Sequence, residues 1–384
     1  MVQHCQNRFS QRDYFTMDQI PTPTRYQKHV SLAPLTTIGL GGEAKFFSDC
    51  STADEIVAVL KDAKRRGLRV QILGGGSNLI FSDAGYDGLV LRVSGRGVTL
   101  TDEGATMLAS VRAGERWDNF VATCVRHGYG GVECLSGIPG SVGATPIQNV
   151  GAYGQEVKDT IDSVTAVNRT TGAEVTFTNA ECEFGYRESR FKSREKNLWI
   201  VTEVRFRLRK NAAPTIVYPE LRRHLEATLG AERLAEPRSS EEAAAVLNSV
   251  REAVIALRRK KSMVIDPADP NTRSVGSFFM NPVLEPSAFA ALQGRWEALH
   301  PDMPVPSYPS GEHVKVPAAW LIEHAGFRKG YKTAGGAGIS ANHTLALIND
   351  GGTTRALLVL AREIQDAVAS AFGIRLEREA IVVE

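Results

Sequence analysis

Cysteine is scarce in this chain, and its arrangement argues against two common kinds of site. The cysteines are Cys5, Cys50, Cys124, Cys134 and Cys182. Their number is odd, they are widely spaced and none forms a CxxC pair, so neither a disulfide framework nor a zinc site is indicated. The pattern fits a reducing compartment. We therefore expect a cytoplasmic protein that holds no metal.

Long apolar runs and a strong excess of one charge are also missing. No apolar stretch is long enough to span a bilayer, and the polar N-terminus has no signal-peptide core. The net charge is only +2, whereas nucleic-acid binders usually carry a strongly basic face. We therefore expect neither membrane insertion nor a nucleic-acid partner.

The length of 384 residues is enough for two or three domains. We expect residues 1–22 to be a disordered extension, with Met17 as an alternative start. Local patterns then divide the rest into units at 23–95, 96–212 and 213–374, followed by a C-terminal strand at 375–384. Asn211 to Pro214 is interpreted as a linker between the second and third units.

The first unit has the pattern strand, helix, strand, loop. Ala44 to Phe47 is predicted to be a strand. Thr52 and Glu55 form a capping box, and the helix that follows is predicted to end at Gly67. A strand from Arg69 to Leu73 leads directly into a run of three glycines.

The later units alternate strands and helices. Asp162–Val167 and Ala173–Phe177 flank a turn and indicate a hairpin. Leu198 to Leu208 alternates apolar and charged residues as a half-buried strand does. Three helices and a final strand follow in the predicted order 239–260, 318–325, 353–372 and 375–383.

Two glycine-rich loops are the most informative feature. Gly74-Gly75-Gly76-Ser77-Asn78 follows an apolar segment, and Ser136–Glu156 is rich in glycine around Gln148 and Asn149. Ordered glycine costs backbone entropy, so a chain keeps such runs where its backbone passes close to a ligand. Consecutive amides in the first loop are suited to a pyrophosphate, although an ordinary glycine turn is the alternative.

Four further features each have a plain structural alternative. Arg187 alone is typical of a surface ion pair, and Ser277 before two phenylalanines is typical of a buried hydroxyl. Glu379 shares the face of Glu377, Ile381 and Val383 if the last strand is regular, so it either lies on an exposed edge or needs a buried partner. The basic run 258–261 is either a solvated helix end or an anion site.

Read together, five motifs resemble one family. Along the chain, GGGSN, IPGSVGATPIQNVGAYGQE, FGYRES, GSFFMNP and LEREA occur in an order similar to that of the bacterial UDP-N-acetylenolpyruvoylglucosamine reductases, and the resemblance runs from about Thr36 to the C-terminus. It implies an α+β fold, with a two-subdomain FAD-binding domain of the vanillyl-alcohol-oxidase type at 23–95 and 96–212. The unit at 213–374 would bind the UDP-sugar, and 375–384 would carry the catalytic glutamate.

The resemblance also implies a reaction. NADPH would reduce non-covalently bound FAD as a co-substrate, and hydride would then pass to UDP-N-acetylglucosamine enolpyruvate to give UDP-N-acetylmuramate for peptidoglycan. Arg187 matches the arginine that binds the substrate carboxylate, Ser277 the general acid, and Glu379 the catalytic glutamate near the developing enolate. The family implies small-molecule substrates as the partners, and we expect a monomer.

Further positions match family contacts. The FAD-binding positions are Gly74, Gly75, Gly76, Ser77, Asn78, Leu79, Gly137, Ile138, Pro139, Gly140, Gly143, Ala144, Gln148, Asn149 and Gly151. The substrate-binding positions are Tyr153, Tyr186, Tyr218, Lys261, Asn281 and His343. Tyr218 matches a mobile tyrosine that closes over the substrate diphosphate, which implies the tyrosine-loop (type I) subtype.

Two departures and two alternatives remain open. Met280 and Ile381 stand where some relatives have lysine and arginine, which puts local contacts in doubt. The first glycine loop has no histidine, so covalent flavin attachment through it is not indicated. An oxidase of the same fold, acting on an alcohol or sugar, would need no NADPH. A non-catalytic regulator that binds flavin or a nucleotide sugar would not depend on Ser277.

Overall fold

The structure, a computed structural model, describes residues 26–230, 234, 237 and 239–384. The predicted extension at 1–22 lies outside these residues. Helices and sheets are mixed along the chain, as predicted for an α+β fold. The predicted domain boundaries remain predictions, and the units below are described by their sheets.

A four-stranded sheet with one helix forms the N-terminal unit. Its elements are β1 (Gln27–Ser31), β2 (Glu43–Cys50), α1 (Ala53–Arg65), β3 (Val70–Leu73), β4 (Leu79–Phe81) and β5 (Tyr86–Val93). The sheet order is β1-β2-β5-β3, in which β2, β5 and β3 run parallel. The capping box is confirmed, since Thr52 accepts from the Glu55 N–H and Glu55 accepts from the Thr52 N–H. Because β3 ends at Leu73, the glycine loop leaves the carboxyl end of the parallel strands.

A mainly antiparallel sheet forms the second unit. Its elements are β6 (Val98–Glu103), β7 (Thr106–Arg112), α2 (Trp117–Arg126), β8 (Tyr129–Gly130), β9 (Gly151–Ala152), β10 (Gln155–Glu156), β11 (Ile161–Asn168), β12 (Glu174–Thr178) and β13 (Trp199–Lys210). The sheet order is β12-β11-β13-β7-β6, and β8 adds to β13. The predicted hairpin is confirmed, with Val167 opposite Glu174. The predicted alternation is confirmed too, since Val204, Phe206 and Leu208 are buried.

The remaining elements combine helices with short strands. They are α3 (Pro219–Leu229), α4 (Ser240–Lys260), β14 (Val283–Leu284), α5 (Pro286–Glu297), β15 (Tyr308–Ser310), β16 (His313–Lys315), α6 (Ala318–His324), β17 (Ala337–Ile339), β18 (Leu347–Asn349), α7 (Thr354–Phe372) and β19 (Ile381–Val383). The predicted helices at 239–260, 318–325 and 353–372 correspond to α4, α6 and α7. Gly373 ends α7 in the left-handed conformation, as predicted.

The buried side chains join these units. The largest apolar cluster surrounds α7, yet it includes Ile38, Leu40 and Ile80 from the N-terminal part. Leu247 of α4 belongs to the core of the second unit. The last strand, β19, pairs in parallel with β4. This pairing holds the C-terminal strand next to the first glycine loop, because β4 directly follows that loop.

The predicted final strand is wrong in its extent. Only Ile381–Val383 is a strand, and the segment before it runs irregularly alongside Phe279 through a bridge at Arg378. Simple alternation therefore fails: Glu377 is exposed, whereas the Glu379 side chain is only 12% exposed. Residues 377–379 bond the 278–280 segment, whereas β19 pairs with β4. The prediction of one regular strand with alternating faces fails because the chain changes partner between these two stretches.

Candidate active site

The two glycine-rich loops lie directly against each other. A Cβ on Gly75 would lie 2.5 Å from the Gly140 Cα, and a Cβ on Gly74 would lie 2.7 Å from the Ser141 Oγ. Gly140 has φ +117°, and a Cβ there would lie 2.7 Å from the Ser77 Oγ. Some of the glycine in both loops is thus required by loop–loop packing, a role that the sequence pattern alone did not separate from ligand binding.

The first loop still presents free backbone donors. Among the described residues, the N–H groups of Gly75, Gly76, Ser77 and Asn78 have no hydrogen-bond acceptor. Consecutive unpaired N–H groups in a tight loop form a concavity suited to phosphate oxygens. The loop therefore fits the pyrophosphate of a dinucleotide cofactor such as FAD.

The second loop is held in place by side chains from outside it. Asp118 on α2 accepts from the Gly137 N–H at 2.6 Å. The same carboxylate receives Arg251 from α4 in a two-bond pair, with distances of 2.6 and 2.8 Å. Asn149 is fully buried. Its Nδ2 donates to the Glu156 carboxylate and to the Gly185 carbonyl, and its Oδ1 accepts from the Lys158 N–H. Its side chain is thus committed to the protein, so a cofactor contact there would use the backbone.

Arg187 and Glu379 form an ion pair although they are far apart in sequence. Arg187 Nε lies 3.0 Å from Glu379 Oε1, and both side chains are largely buried. Arg187 has φ +53°, which is uncommon for a residue with a side chain. Its Nη2 donates to the Gly151 carbonyl at 2.9 Å. The arginine predicted from FGYRES and the glutamate predicted from LEREA therefore meet.

Gln148 and Asn78 complete this cluster. Gln148 Nε2 donates to Glu379 Oε1 at 3.3 Å, and Gln148 Oε1 accepts from Asn78 Nδ2 at 3.2 Å. Asn78 Nδ2 also donates to the Glu379 carbonyl at 3.1 Å. Both glycine loops thus contribute a side chain to the Arg187–Glu379 pair, so predicted cofactor positions and predicted catalytic positions lie together.

Burial dominates the electrostatics of Glu379. It raises the pKa of this carboxyl above its ordinary value of 4.5, whereas Arg187 and Lys192 act in the opposite direction. Desolvation disfavours the charged form of an acid. A glutamic acid with a raised pKa beside an arginine is a group able to hold or share a proton.

Ser277 lies beside the same carboxyl segment. The Glu379 N–H donates to the Phe278 carbonyl at 2.9 Å, and the Met280 N–H donates to the Glu377 carbonyl at 2.9 Å. The chain at 278–280 therefore runs antiparallel to 377–379, and Ser277 immediately precedes this contact. Gly276 has φ +74°, so a left-handed turn leads into the serine. The hydroxyl is partly exposed rather than sealed in a core.

Tyr186 lies close to Arg187, Lys315 and Asn281. Burial raises the pKa of the Tyr186 hydroxyl, whereas nearby Arg187 and the Asn281 side chain act in the opposite direction. Lys315 Nζ lies 4.5 Å from the Tyr186 ring centroid, a cation–π distance. The Asn281 Oδ1 also accepts from the Ala318 N–H at 2.9 Å and so ties the asparagine to α6. Lys315 was not predicted, since its short β16 motif carries no signal in the sequence.

Lys192 is a second cation that the sequence interpretation missed. Its Nζ donates to the Arg187 carbonyl at 2.6 Å and lies 3.9 Å from the Met280 sulfur. Lys192 therefore brings an ammonium group to Met280, the position at which some relatives have a lysine. Its location five residues beyond Arg187 was the available signal.

Tyr153 and Tyr218 are packed edge to face. Their ring centroids lie 5.3 Å apart at an interplanar angle of 86°. Burial raises the pKa of Tyr153 to about 12 and also raises that of Tyr218. Tyr218 caps the start of α3, so its position depends on the preceding linker. The two predicted tyrosines are therefore brought together.

The basic run ends α4 near His343. Burial lowers the pKa of His343 to about 4, and the nearby charges of Lys261 and Lys329 lower it further. Its Nδ1 accepts from the Leu345 N–H at 3.1 Å, which leaves the proton of the neutral ring on Nε2. Arg258 lies deeper and donates to the Met263 carbonyl at 2.8 Å, and its Nε has no hydrogen-bond partner among the described residues. This end of the site is thus cationic.

Two general properties are clear within the described residues. No group of three histidine, cysteine, aspartate or glutamate side chains is arranged to hold a metal ion. None of the helices there combines the length and apolar character that crossing a membrane requires.

Comparisons with known proteins point to one family. The model of an "FAD binding domain" family matches residues 44–178, and that of "UDP-N-acetylenolpyruvoylglucosamine reductase, C-terminal domain" matches residues 267–383. The UDP-N-acetylenolpyruvoylglucosamine reductase of Thermobifida fusca is 47% identical over 365 residues, which are 94% of this chain and 98% of the relative. That of Streptomyces coelicolor is 46% identical over 94% of this chain and 91% of its own.

The chain belongs to the UDP-N-acetylenolpyruvoylglucosamine reductase family. A crystal structure of the reductase from Thermus caldophilus shares the fold, with a TM-score of 0.62 and 24% identity over 94% of this chain and 99% of that one. The predicted fold class, family and FAD-binding domain are confirmed, and the chain is an FAD-dependent oxidoreductase of this family. The tyrosine-loop subtype and the individual site residues remain predictions.

Proposed function

We propose that this chain catalyses the reaction of its family, the reduction of UDP-N-acetylglucosamine enolpyruvate to UDP-N-acetylmuramate in peptidoglycan precursor synthesis. FAD held by the two glycine loops would supply the hydride-transfer chemistry between NADPH and the enolpyruvyl group. The observation that carries the proposal is the Arg187–Glu379–Gln148 cluster, which lies where the two glycine loops meet.

Arg187 binds the enolpyruvyl carboxylate in this proposal. Its planar guanidinium offers paired donors that match a carboxylate. The bond from Nη2 to the Gly151 carbonyl and the ion pair with Glu379 orient the group before substrate arrives. Negative charge grows on the substrate carboxylate when hydride reaches the adjacent alkene, and a fixed cation stabilises that charge.

Glu379 and Ser277 handle the proton. The raised pKa of Glu379 favours a protonated or shared-proton form beside the developing enolate. Ser277, on the neighbouring strand-like segment, donates the proton that completes the reduction. Both groups come from the C-terminal part of the chain, whereas the cofactor loops come from the N-terminal part.

The cationic end receives the diphosphate. Lys261 supplies a positive charge, and neutral His343 offers its Nε2–H as a hydrogen-bond donor. Tyr218 and Tyr153 cover the nucleotide sugar from the side of the linker. Tyr186 and Asn281 lie close together and line the path between this end and Arg187.

The FAD-binding part is proposed to comprise subdomains 23–95 and 96–212, with the sugar-nucleotide domain at 213–374 and the glutamate-bearing strand at 375–384. We also propose a cytoplasmic monomer that is active with its small-molecule substrates alone. Sedimentation of the FAD-loaded protein at assay concentration tests the oligomeric state.

Anaerobic stopped-flow absorbance tests the function. The FAD-loaded protein is reduced with one equivalent of NADPH and mixed with UDP-N-acetylglucosamine enolpyruvate. Fast return of the oxidised flavin spectrum, with UDP-N-acetylmuramate as product, is expected. Persistence of the reduced spectrum until oxygen is admitted would instead indicate an oxidase, and a protein that cannot be loaded with FAD would indicate a regulator.

A further inference from the structure

A buried carboxylate outside the proposed chemistry joins three chain segments. Glu133 begins the 3₁₀ turn Glu133–Leu135 and is completely buried. Its Oε2 accepts from the Gly131 N–H at 2.6 Å. Its Oε1 accepts from Gln155 Nε2 at 2.8 Å and from the Thr215 N–H at 3.2 Å.

All of these partners are neutral N–H groups, which makes the carboxylate unusual. Burying a charge without a cation is unfavourable unless hydrogen bonds compensate it. Both oxygens of Glu133 act as acceptors, one for Gly131 and the other for two donors. A glutamine has only one acceptor oxygen, so it would place an NH₂ group against one of these N–H donors.

The joined segments carry the two tyrosines of the site. Gln155 follows Tyr153 by two residues, and Thr215 precedes Tyr218 by three. Gln155 is itself held, because its Oε1 accepts from the Cys134 N–H at 2.8 Å. The Cys134 thiol in turn approaches the Thr215 carbonyl at 3.7 Å.

The two tyrosine-bearing segments also pack closely at Gly154, which lies against the Val217 side chain. A Cβ on Gly154 would lie 2.8 Å from the Val217 Cβ. Ile216 is buried in a cluster with Cys134, against which Tyr153 and Tyr218 pack. The edge-to-face geometry of the tyrosines thus depends on how 153–155 and 215–218 are held relative to each other, and Glu133 bonds both.

We propose that Glu133 is a positioning residue that fixes Tyr153 and Tyr218 relative to each other for binding of the nucleotide sugar. It acts through Gln155 and Thr215, not by touching the substrate or FAD. The proposal rests on the proposed function, since it assigns the tyrosine pair to the sugar-nucleotide site.

The test is Glu133→Gln in the FAD-loaded protein. We expect the KM for UDP-N-acetylglucosamine enolpyruvate to rise about tenfold, as loss of one buried hydrogen bond allows, while kcat and FAD content stay near those of the parent. The matched control is Glu181→Gln, which removes an exposed carboxylate that accepts from the Thr178 N–H and hydroxyl. An unchanged KM in Glu133→Gln would overturn the proposal.

A double-mutant cycle separates positioning from general destabilisation. In a Tyr218→Ala background, Glu133→Gln should raise the KM little further, because the pairing of Tyr218 with Tyr153 that Glu133 fixes is already lost. Fully additive effects would contradict the proposal. If Glu133→Gln does not fold, Gln155→Met removes one donor to the same carboxylate, and the same increase in KM is expected.

A readout without substrate keeps this proposal distinct from the proposed function. Hydrogen exchange of the amides at 215–218 should be faster in Glu133→Gln, or in Gln155→Met, than in the parent and in Glu181→Gln. Unchanged exchange would overturn the positioning role even if the enzyme is active. Faster exchange in a protein that does not reduce the enolpyruvyl substrate would leave the positioning role intact and refute the proposed function.

Discussion

At the scale of single residues, the site depends on a few side chains whose properties come from their neighbours. A serine is a weak acid in water, and a glutamate is ordinarily ionised at neutral pH. Ser277 is placed next to the segment that carries Glu379, and burial raises the pKa of that carboxyl. In the proposed mechanism, position and desolvation adapt these two groups, which would be poor proton donors elsewhere, to proton delivery.

Ser277→Ala should separate the two half-reactions. Reduction of FAD by NADPH is expected to stay nearly intact, because the role proposed for the hydroxyl is confined to the proton step. Reoxidation by the enolpyruvyl substrate should slow by about 10²–10⁴-fold, the usual contribution of general acid catalysis. Stopped-flow absorbance measures both steps, and equal reoxidation rates in variant and parent would refute the assigned role.

Glu379→Gln should reveal the raised pKa through stability. In the parent, the unfolded carboxyl ionises above its ordinary pKa of 4.5, while the folded one stays protonated to higher pH. The folded state therefore binds more protons in this interval, and parent stability falls as pH rises through it. Relative to Glu379→Gln, the parent should lose stability from about pH 4.5 upward and level off above the folded pKa. Urea unfolding across pH measures this, and a pH-independent difference would contradict the shift.

At the scale of elements, the site is assembled by loops and strand ends rather than by whole helices. Two glycine loops pack against each other so closely that side chains would not fit between them. The parallel pairing of β19 with β4 places the C-terminal segment beside the first loop, where the Ile381 N–H donates to the Asn78 carbonyl.

Gly75→Ala should disturb the loop contact. The added Cβ would lie 2.5 Å from the Gly140 Cα, so one loop must move. We expect a loss of about 1–3 kcal/mol in stability, as for other overpacked sites, together with reduced FAD content. Thermal unfolding and flavin absorbance measure both.

Gly294→Ala is the control for this substitution. Gly294 lies within α5, and the Cβ of an alanine there would have no neighbouring atom within 4 Å. Alanine should therefore stabilise the helix by about 0.5–1 kcal/mol. Full FAD content and parental stability in Gly75→Ala would contradict the prediction, because they would mean that the two loops can move apart without loss of FAD binding or stability.

At the scale of the whole molecule, the groups predicted to bind cofactor and substrate come from distant parts of the chain. The glycine loops at 74–78 and 136–156 contribute Asn78 and Gln148 to the cluster around Glu379, and Ser277 precedes the segment that bonds the backbone of residues 377–379. The apolar cluster around α7 also takes in Ile38, Leu40 and Ile80 from the N-terminal part. Binding at the junction is therefore linked to the stability of several units.

FAD should stabilise the folded protein by mass action. At a free concentration 100 times its Kd, a ligand that binds only the folded state adds about 2.7 kcal/mol. The apoprotein should therefore melt at a lower temperature, and the melting temperature should rise with added FAD. Calorimetry at several FAD concentrations checks this, and identical curves with and without FAD would exclude such linkage.

The sequence by itself determined the family, the reaction class and most local elements. Glycine runs, the capping box at Thr52 and Glu55, the hairpin turn and the alternation of β13 depend on near neighbours, so they can be recognised in one dimension. The motif order was sufficient to predict FAD and the roles proposed for Arg187, Ser277 and Glu379.

Only the tertiary structure decided how these residues meet. Contacts between segments far apart in the chain pair Arg187 with Glu379, bring Lys315 to Tyr186 and bury Glu133 against Thr215. Such contacts also place Lys192 near Met280. The final strand was predicted too long because its pairing partners lie elsewhere. Burial and long-range packing are properties of the folded chain, and no local pattern encodes which carboxylate will be desolvated or which loop will lie against it.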